Sequence, residues 1–562
     1  MADKEQLSRD VLIKFKELQD ARDVWEDQMQ EVCKYVLPRL EFWNMEDKDG
    51  EMHGSNVYDG TPISALNLLA SGLHGYLISP ATAWFAMGME EDRLNDIPEV
   101  KTWLQEVEKI FYSSFATSNF YDQMLPYFRL GAGPGTASMY MEEDIYTDRI
   151  VYSCRHPREI YIAENIHGEV DTVFRNYQMT ARNAVEKFGA ANVSDQIRND
   201  ASEARTSLKE FEFLHAVFPR TDRDIKFPTA ENKRFASVYV SVEDSEHLKG
   251  KVARISGYDD MPYATWRWAK NSNEVYGRSP TWDAYYDIRA ANEAEKGLTM
   301  AAELSINPPL NVPSGLADDV RWFPRGENYY SEKDLIVRAA HTGIDYPIAI
   351  DHMERKRKII EAHYMVDFFL MLAQSERQMT AREVIEKQGE KAAIMGPAVS
   401  RLNSECLNPI FDRKFNLLWE AGKIPPPPPV LLEQKSAAIK INYIGPLAQA
   451  QQRLFRTQGT EQALSVITPL TEFYPEMKDW IDPDETSKDL LEAYGMAQKN
   501  IRTQDKVDEV RKARQEAQEA AIRAEQMEQA AGATRQLAEA DKATGGQISK
   551  AMGQQQPGQV VQ

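Results

Sequence analysis

Two helix-forming runs that flank a turn-rich insert constrain this chain most. Ser279 is a capping residue followed by Pro280, and proline suits the first turn of a helix because its missing amide hydrogen would have no partner there. The helical pattern continues through Leu304 until Asn307-Pro308-Pro309 stops it. A second run begins near Asp351, passes through His352-Met353-Glu354 and ends in the apolar Phe368-Phe369-Leu370-Met371-Leu372. Between the two, Pro308 to Pro347 is rich in Pro, Gly and Asp. At 1.5 Å per residue each helix reaches roughly 30 to 35 Å, so the pattern predicts a long hairpin with a small domain at its tip.

The flanking regions differ in period. Leu7, Val11, Phe15, Leu18, Val24, Trp25, Met29 and Val32 recur at helical spacing, which predicts a helix over Gln6 to Tyr35 that Pro38 ends. Thr61 to Leu77 and Glu99 to Phe115 read as further helices. Short strand-like runs follow within Met139 to Tyr161, then at Phe211 to Phe218 and Ala236 to Val242. The fold class expected is therefore α+β, mainly helical. Further on, a helical run ends at Gly422, and a five-proline block spans Pro425 to Pro429. From Met496 to Ala531 there is no Gly or Pro and few large apolar residues, so a helix there buries little unless it packs against copies of itself. The tail from Gly545 has the composition of a disordered segment.

With 562 residues the chain is too long for one core. Its net charge of -21 argues against a protein that coats nucleic acid by neutralising phosphates, since that affinity comes from Lys and Arg displacing counterions. Cys33, Cys154 and Cys406 are far apart and odd in number, which fits a reducing compartment and assembly in a cytoplasm. The charged start Met1-Ala2-Asp3-Lys4-Glu5 leads to the expectation of no secretory signal. Thr61 to Met89 lacks Asp, Glu, Lys and Arg, yet Asn67, Ser71, Gly72, His74, Gly75, Ser79 and Pro80 interrupt it, so a buried segment is expected and no membrane anchor.

Sites of chemistry are sparse. Gly54 to Thr61 has five residues between its glycines and no Lys, unlike a phosphate loop. Gly131-Ala132-Gly133-Pro134-Gly135 precedes a strand rather than following one, and reads as a helix-to-strand turn. Cys154 and His156 have no second pair to complete a zinc site, and Gly-x-Ser-x-Gly is absent. No cofactor, metal or catalytic set is expected. Arg355-Lys356-Arg357-Lys358 is the densest basic cluster. Consecutive helical residues point 100° apart, so at least one cation would face a DNA channel on any side; ion pairs on a solvated turn, or a contact to another subunit, are the other reading.

Three stretches, in order, resemble the portal, or head-to-tail connector, family of short-tailed bacteriophages. The first is Tyr58-Asp59-Gly60-Thr61 with Ala65, Leu69-Ala70-Ser71-Gly72-Leu73, Ser79-Pro80 and Trp84-Phe85. The second is Tyr276-Gly277-Arg278-Ser279-Pro280 with Asn307-Pro308-Pro309, and the third runs from Met379 to Gln451, including Tyr443-Ile444-Gly445-Pro446.

The resemblance implies the portal fold: a wing (1–278), stem helices at 279–307 and 350–373, and a clip (308–349) bearing Trp322, Phe323 and Tyr329. It further implies a tunnel loop, Gln374-Ser375-Glu376-Arg377-Gln378, a kinked helix with a return to wing and crown (379–495), and a barrel helix (496–544) before the tail (545–562). In that scheme Arg355 to Lys358 lie on the stem, and Gly396-Pro397 kinks the helix that follows the tunnel loop. The implied function is a homododecamer in the virion, at one capsid vertex, through which double-stranded DNA is packaged and ejected. The implied partners are the terminase large subunit, tail adaptor or nozzle proteins, the major capsid protein and scaffold, and internal core proteins. No enzyme activity is implied. The competing classes are a scaffold or internal core protein, suggested by the Ala- and Gln-rich C-terminal stretch, and a DNA-processing hydrolase, for which no site is recognisable.

Overall fold

Amphipathic periodicity sets the first element. The computed structural model describes residues 2–40, 54–144, 147–221, 223–224, 229–244, 247–306, 310–311, 338–339, 346–373, 393–433, 438–445, 458–471, 474–493, 502 and 504–543. Helix α1 spans Ala2–Val36 and gives way to a 3-10 turn at Pro38, as the proline dictates. Helix α2 (Thr61–Leu77) is the charge-free stretch; Leu66, Leu69, Ala70 and Leu73 bury it within protein. Among the described residues no helix is long and apolar enough to cross a membrane. Strand β1 (Phe85–Met89) leads to α3 (Pro98–Thr117) and α4 (Phe120–Ala132).

Two sheets follow. Strands β2 (Thr136–Asp144) and β3 (Arg149–Arg155) form one with the later β9 (Tyr263–Arg267), in the order β3-β2-β9. Strands β4 (Ile160–Glu164), β5 (Val170–Thr180), β6 (Glu210–Pro219), β7 (Phe235–Asp244) and β8 (Lys249–Tyr258) make an antiparallel five-stranded sheet in sequential order. Alternation along its strands divides the burial. Phe174, Leu214, Ala216, Val238 and Val240 meet Val11, Leu12 and Phe15 of α1. Val173 and Val217 face the opposite way, beside Tyr140 and Tyr263 of the smaller sheet. Two short helices, α5 (Ala181–Phe188) and α6 (Asp195–Ser202), cover the rest of that face. The expected α+β class and mainly helical content hold.

The hairpin helices are α7 (Pro280–Ile306) and α8 (Tyr346–His363). The short strands β10 (Leu310–Asn311) and β11 (Arg338–Ala339) pair between them. The second run departs from expectation in two ways. It starts at Tyr346 rather than near Asp351, and it breaks at Tyr364-Met365, where Met365 has φ 54°, before resuming as α9 (Val366–Ala373). The break turns Phe368 and Phe369 into the core against α2, where a continuous helix would keep its own axis.

The helix around Gly396-Pro397 is interrupted at Met395, just before that pair: residues 393 and 394 are helical, Met395 is a turn, and Pro397 opens the next segment. Pro397 lies in the first turn of α10 (Gly396–Leu402), where proline is compatible with helix. A second irregularity comes next, as a π turn over Asn403–Leu407 before α11 (Asn408–Glu420). Pro409 has no amide hydrogen to offer the carbonyl four residues back, and a wider turn accommodates that loss. Gly422, with φ 67°, ends α11 as the sequence indicated: its amide reaches the Trp419 carbonyl, and the Lys423 amide that of Leu418. Strand β12 (Ile439–Tyr443) then returns to pair antiparallel with β1. Helices α12 (Gln458–Leu470), α13 (Pro483–Ala493) and α14 (Gln504–Ala543) complete the chain. Nearly every described side chain of α14 is exposed, along a rod of about 60 Å.

The largest core gathers α2, α3, α4, β1 and α11 around Trp84, Phe85, Phe111, Phe115, Phe120 and Phe411. Lys414 lies inside it with no exposed surface. Its amine sits 3.1 Å from the centre of the Phe115 ring and has no hydrogen-bond partner among the described residues. Burial holds that amine well below the usual lysine range. The glycine-rich turn after α4 has a different job. A Cβ on Gly135 would lie 2.4 Å from the Gly277 carbonyl oxygen, and one on Gly277 would lie 2.4 Å from that of Gly135.

Two outcomes follow from these packings. Lys414→Met should raise stability by about 1 to 2 kcal/mol in urea unfolding, because a buried amine without a partner is exchanged for an apolar side chain of similar volume. Below the unfolded lysine pKa the unfolded chain binds the extra proton, so wild-type stability rises with pH there, and the variant's dependence should be flatter. Gly277→Ala should lower the melting temperature by several degrees, a cost of about 2 kcal/mol or more, since backbone opposes it on both sides.

Candidate functional site

The hairpin is held from within by charge. Lys356 pairs with Asp287 across α7 and α8 at 2.6 Å, and Arg357 pairs with Glu295 at 3.0 Å and with the buried Asp59 at 3.4 Å. Asp59 also accepts from the Thr61 amide and hydroxyl, so it organises the start of α2 as well. Asn292, buried on α7, accepts from the Tyr58 amide and donates to the Asn56 carbonyl. Tyr58-Asp59-Gly60-Thr61 is thus the clasp by which the N-terminal part grips both hairpin helices.

At the base of α7 the second stretch docks into the glycine turn. The Gly277 amide donates to Thr136 Oγ1 at 2.9 Å, Ser279 Oγ donates to the Gly133 carbonyl, and Trp282 Nε1 donates to the Pro134 carbonyl at 2.8 Å. Ser279 also accepts from the Thr281 amide, the expected cap. Thr281 Oγ1 meets Tyr364 Oη at 2.7 Å, fixing the far end of α8 to the start of α7. The third stretch closes on the first: the Ile444 amide donates to the Trp84 carbonyl, and Tyr443 pairs in register with Phe85.

The four cations of the basic cluster divide. Lys356 and Arg357 are committed to the pairs above, whereas Arg355 and Lys358 are exposed, Arg355 beside the exposed Asp351 at 2.5 Å. These partners are Asp287, Glu295, Asp59 and Asp351, not the neighbouring Glu354 and Glu361. Gln374, Ser375, Glu376, Arg377 and Gln378 lie outside the described residues, as do Trp322, Phe323 and Tyr329. Cys154 and His156 make no metal pair. His156 Nε2 contacts the Leu40 carbonyl and Nδ1 accepts from the Arg158 amide, while burial lowers the ring's pKa to about 4.

Sequence reasoning passed over the exposed faces of the hairpin. On α7, Tyr286, Arg289, Glu293, Gly297, Met300 and Leu304 form one stripe, with Tyr286 79% exposed. On α8, Ile348, His352, Arg355, Ile359 and Ala362 form another, with Ile348 66% exposed. Both point away from the contact between the two helices. The signal was weak, because Tyr286, Met300 and Leu304 on α7 and Ile348 and Ile359 on α8 are separated by Arg289, Glu293, His352 and Arg355.

The hairpin thus combines ion pairs on its inner face with exposed apolar residues on its outer one, and among the described residues no group of His, Cys, Asp and Glu could hold a metal ion. Comparison with known proteins supplies the family. A family model described as "Bacteriophage head to tail connecting protein" matches residues 9–501. The chain is 30% identical over 547 residues to the "Probable portal protein" of Bordetella phage BPP-1, covering 96% of each. It is 29% identical over 515 residues to the "Portal protein" of Salmonella phage epsilon15, covering 90% of each. The chain belongs to the bacteriophage head-to-tail connecting protein family, and is a structural component of the virion rather than an enzyme.

Removing the clasp tests its weight. Arg357→Met should destabilise the chain by about 2 kcal/mol in urea unfolding by leaving the Asp59 carboxylate buried beside a lost partner. Combining it with Asp59→Asn should cost clearly less than the sum of the two single changes.

Proposed function

We propose that this chain is the portal subunit of a phage capsid: copies close into a ring, twelve by family resemblance, whose channel admits and releases double-stranded DNA. The observation that carries the reading is the set of exposed apolar side chains on the outer faces of α7 (Tyr286, Met300, Leu304) and α8 (Ile348, Ile359), turned away from the hairpin's own contact. Two different patches on one subunit make a head-to-tail contact, and such contacts close into rings when the rotation permits. The wing, stem, clip, tunnel loop, crown and barrel follow the boundaries given above, with α14 joining the barrel and the 308–349 segment the clip.

In this reading the clip, through Trp322, Phe323 and Tyr329, meets the terminase large subunit during packaging and tail adaptor or nozzle proteins afterwards. The wing faces the major capsid protein, scaffold and internal core proteins. The Gln374 to Gln378 loop approaches DNA, and of the two exposed stem cations Lys358 lies off the α8 stripe and is the one placed to meet it. Twelve copies at -21 carry about -250 charges, which keeps a duplex sliding rather than bound. The scaffold and hydrolase alternatives fall away with the family assignment.

Purified protein should form closed rings by negative-stain imaging and light scattering. Met300→Glu with Leu304→Glu should leave subunits with unchanged circular dichroism that no longer assemble; rings that persist would place the interface elsewhere. Lys358→Glu should lower packaged genome per particle without dependence on DNA sequence, because phosphate contacts carry no sequence information. A chain that stays monomeric at every concentration and salt would overturn the reading.

A further inference from the structure

Gly297 sits in the middle of α7, exposed, on the same face as Glu293 and Met300. Glycine in a helix interior loses more chain entropy than alanine and lowers helix stability, so its presence there calls for a reason. The subunit itself supplies none: among the described residues a Cβ at this position would meet nothing within 4 Å. Gly72 is the opposite case, since a Cβ there would overlap the Phe369 ring. What the missing side chain at Gly297 does provide is a gap on the outer face of α7, where another helix can come close.

A match for that gap stands on the other hairpin helix. Thr281 meets Tyr364, Asp287 meets Lys356 and Glu295 meets Arg357, which fixes the antiparallel register of α7 and α8. On that register, within one turn, Tyr286 stands at the height of Ala362 and Glu293 at the height of Arg355. Gly297 stands at the height of His352, and Met300 at that of Ile348. All of these are exposed, on faces that the two helices turn away from each other. The faces are complementary level by level: a large side chain against a small one, an acid against a base, a glycine against an imidazole, and two apolar chains. Among the described residues Glu293 forms no ion pair, and Arg355 has only Asp351, itself exposed, four positions away.

We propose that α8 of one copy packs across α7 of the next at Gly297, with His352 over the glycine, Arg355 paired with Glu293 and Ile348 against Met300. The occupant is a second copy because rotation about a ring axis preserves height, so two faces that match level by level on one subunit meet level by level between neighbours. The charge pair sets the register of the contact, and Gly297 sets how closely the helices approach. The inference rests on the ring reading and gives its contact a register.

Assembly is read by light scattering at low ionic strength, where an exposed charge pair is least screened. Gly297→Ala should move two quantities in opposite senses: the melting temperature of the dissociated subunit rises by about 1 to 3 °C, while the protein concentration for half-assembly rises at least tenfold. Glu293→Arg and Arg355→Glu should each raise that concentration at least tenfold, and a one-to-one mixture of the two should return it to near the wild-type value. In the mixture the two kinds of chain alternate, so every contact again joins an acid to a base, which a pair within one chain could not achieve. Rings that form as readily with Gly297→Ala or with either charge reversal, or a mixture no better than its components, would overturn the inference while leaving the ring reading in place. A lower melting temperature for Gly297→Ala would also overturn it, by giving the glycine a role inside the subunit. Wild-type chains that never assemble would overturn both.

Discussion

Arg267 is the point on which the parts of this subunit converge. Its guanidinium is buried, and a buried charge is tolerable only when its charge and all five N–H donors are met. Nε donates to Glu405; Nη1 donates to Glu164 and the Val275 carbonyl; Nη2 donates to Glu405 and the Gly168 carbonyl. Glu164 and Gly168 belong to the β4-β5 hairpin, Val275 to the approach to α7, and Glu405 to the π turn between α10 and α11. One side chain on β9 therefore fixes the five-stranded sheet, the hairpin base and the late helices relative to one another. Arg401 and Lys270 add flanking cations to the same two carboxylates. The π turn acquires a reason here: a regular helix would set Glu405 at a different angle to Arg267.

The hairpin departs from the usual helix pair, in which apolar side chains face inward and charges face water, by adding ion pairs to its inner face and leaving some large apolar residues on its outer one. Its mutual face mixes Ile288, Ala291, Met353 and Ile360 with the ion pairs of Lys356 and Arg357, while Tyr286, Met300, Ile348 and Ile359 face out. Partly buried pairs fix register and orientation better than they supply stability. Outward apolar residues gain little in an isolated subunit and gain much once covered. The same two helices thus carry the subunit's internal anchoring on one face and uncovered apolar surface on the other.

The sequence showed the helices best. Thr61–Leu77 and Pro280–Ile306 carry their own punctuation, a proline in the first turn and a breaker after the last. The strands at Val170–Thr180, Lys249–Tyr258 and Phe85–Met89 escaped notice, the last because a five-residue run including Gly88 has no usable period and owes its extended form to a distant partner. The Gly131 to Gly135 run was legible as a turn but not as the cradle for Ser279 and Trp282, since nothing local says which segment a turn receives. The basic cluster was legible in its density but not in the direction of each side chain. Asp59 and Asn292, which hold the hairpin to the N-terminal part, look like ordinary polar residues until the fold buries them.

The pairing of β1 with β12 joins segments made at very different times. Met89 and Ile439 stand 350 residues apart in the chain, so at ~5–20 residues per second a ribosome needs roughly 20 to 70 s to supply the second strand. Throughout that interval Trp84 and Phe85 lack Phe411 and Tyr443, the rings that later cover them. A chain that terminates early keeps this aromatic surface uncovered and never builds the α11 wall beside it. Completeness of synthesis is in this way written into the shape of the subunit: only a chain made past Tyr443 covers its own N-terminal aromatic cluster.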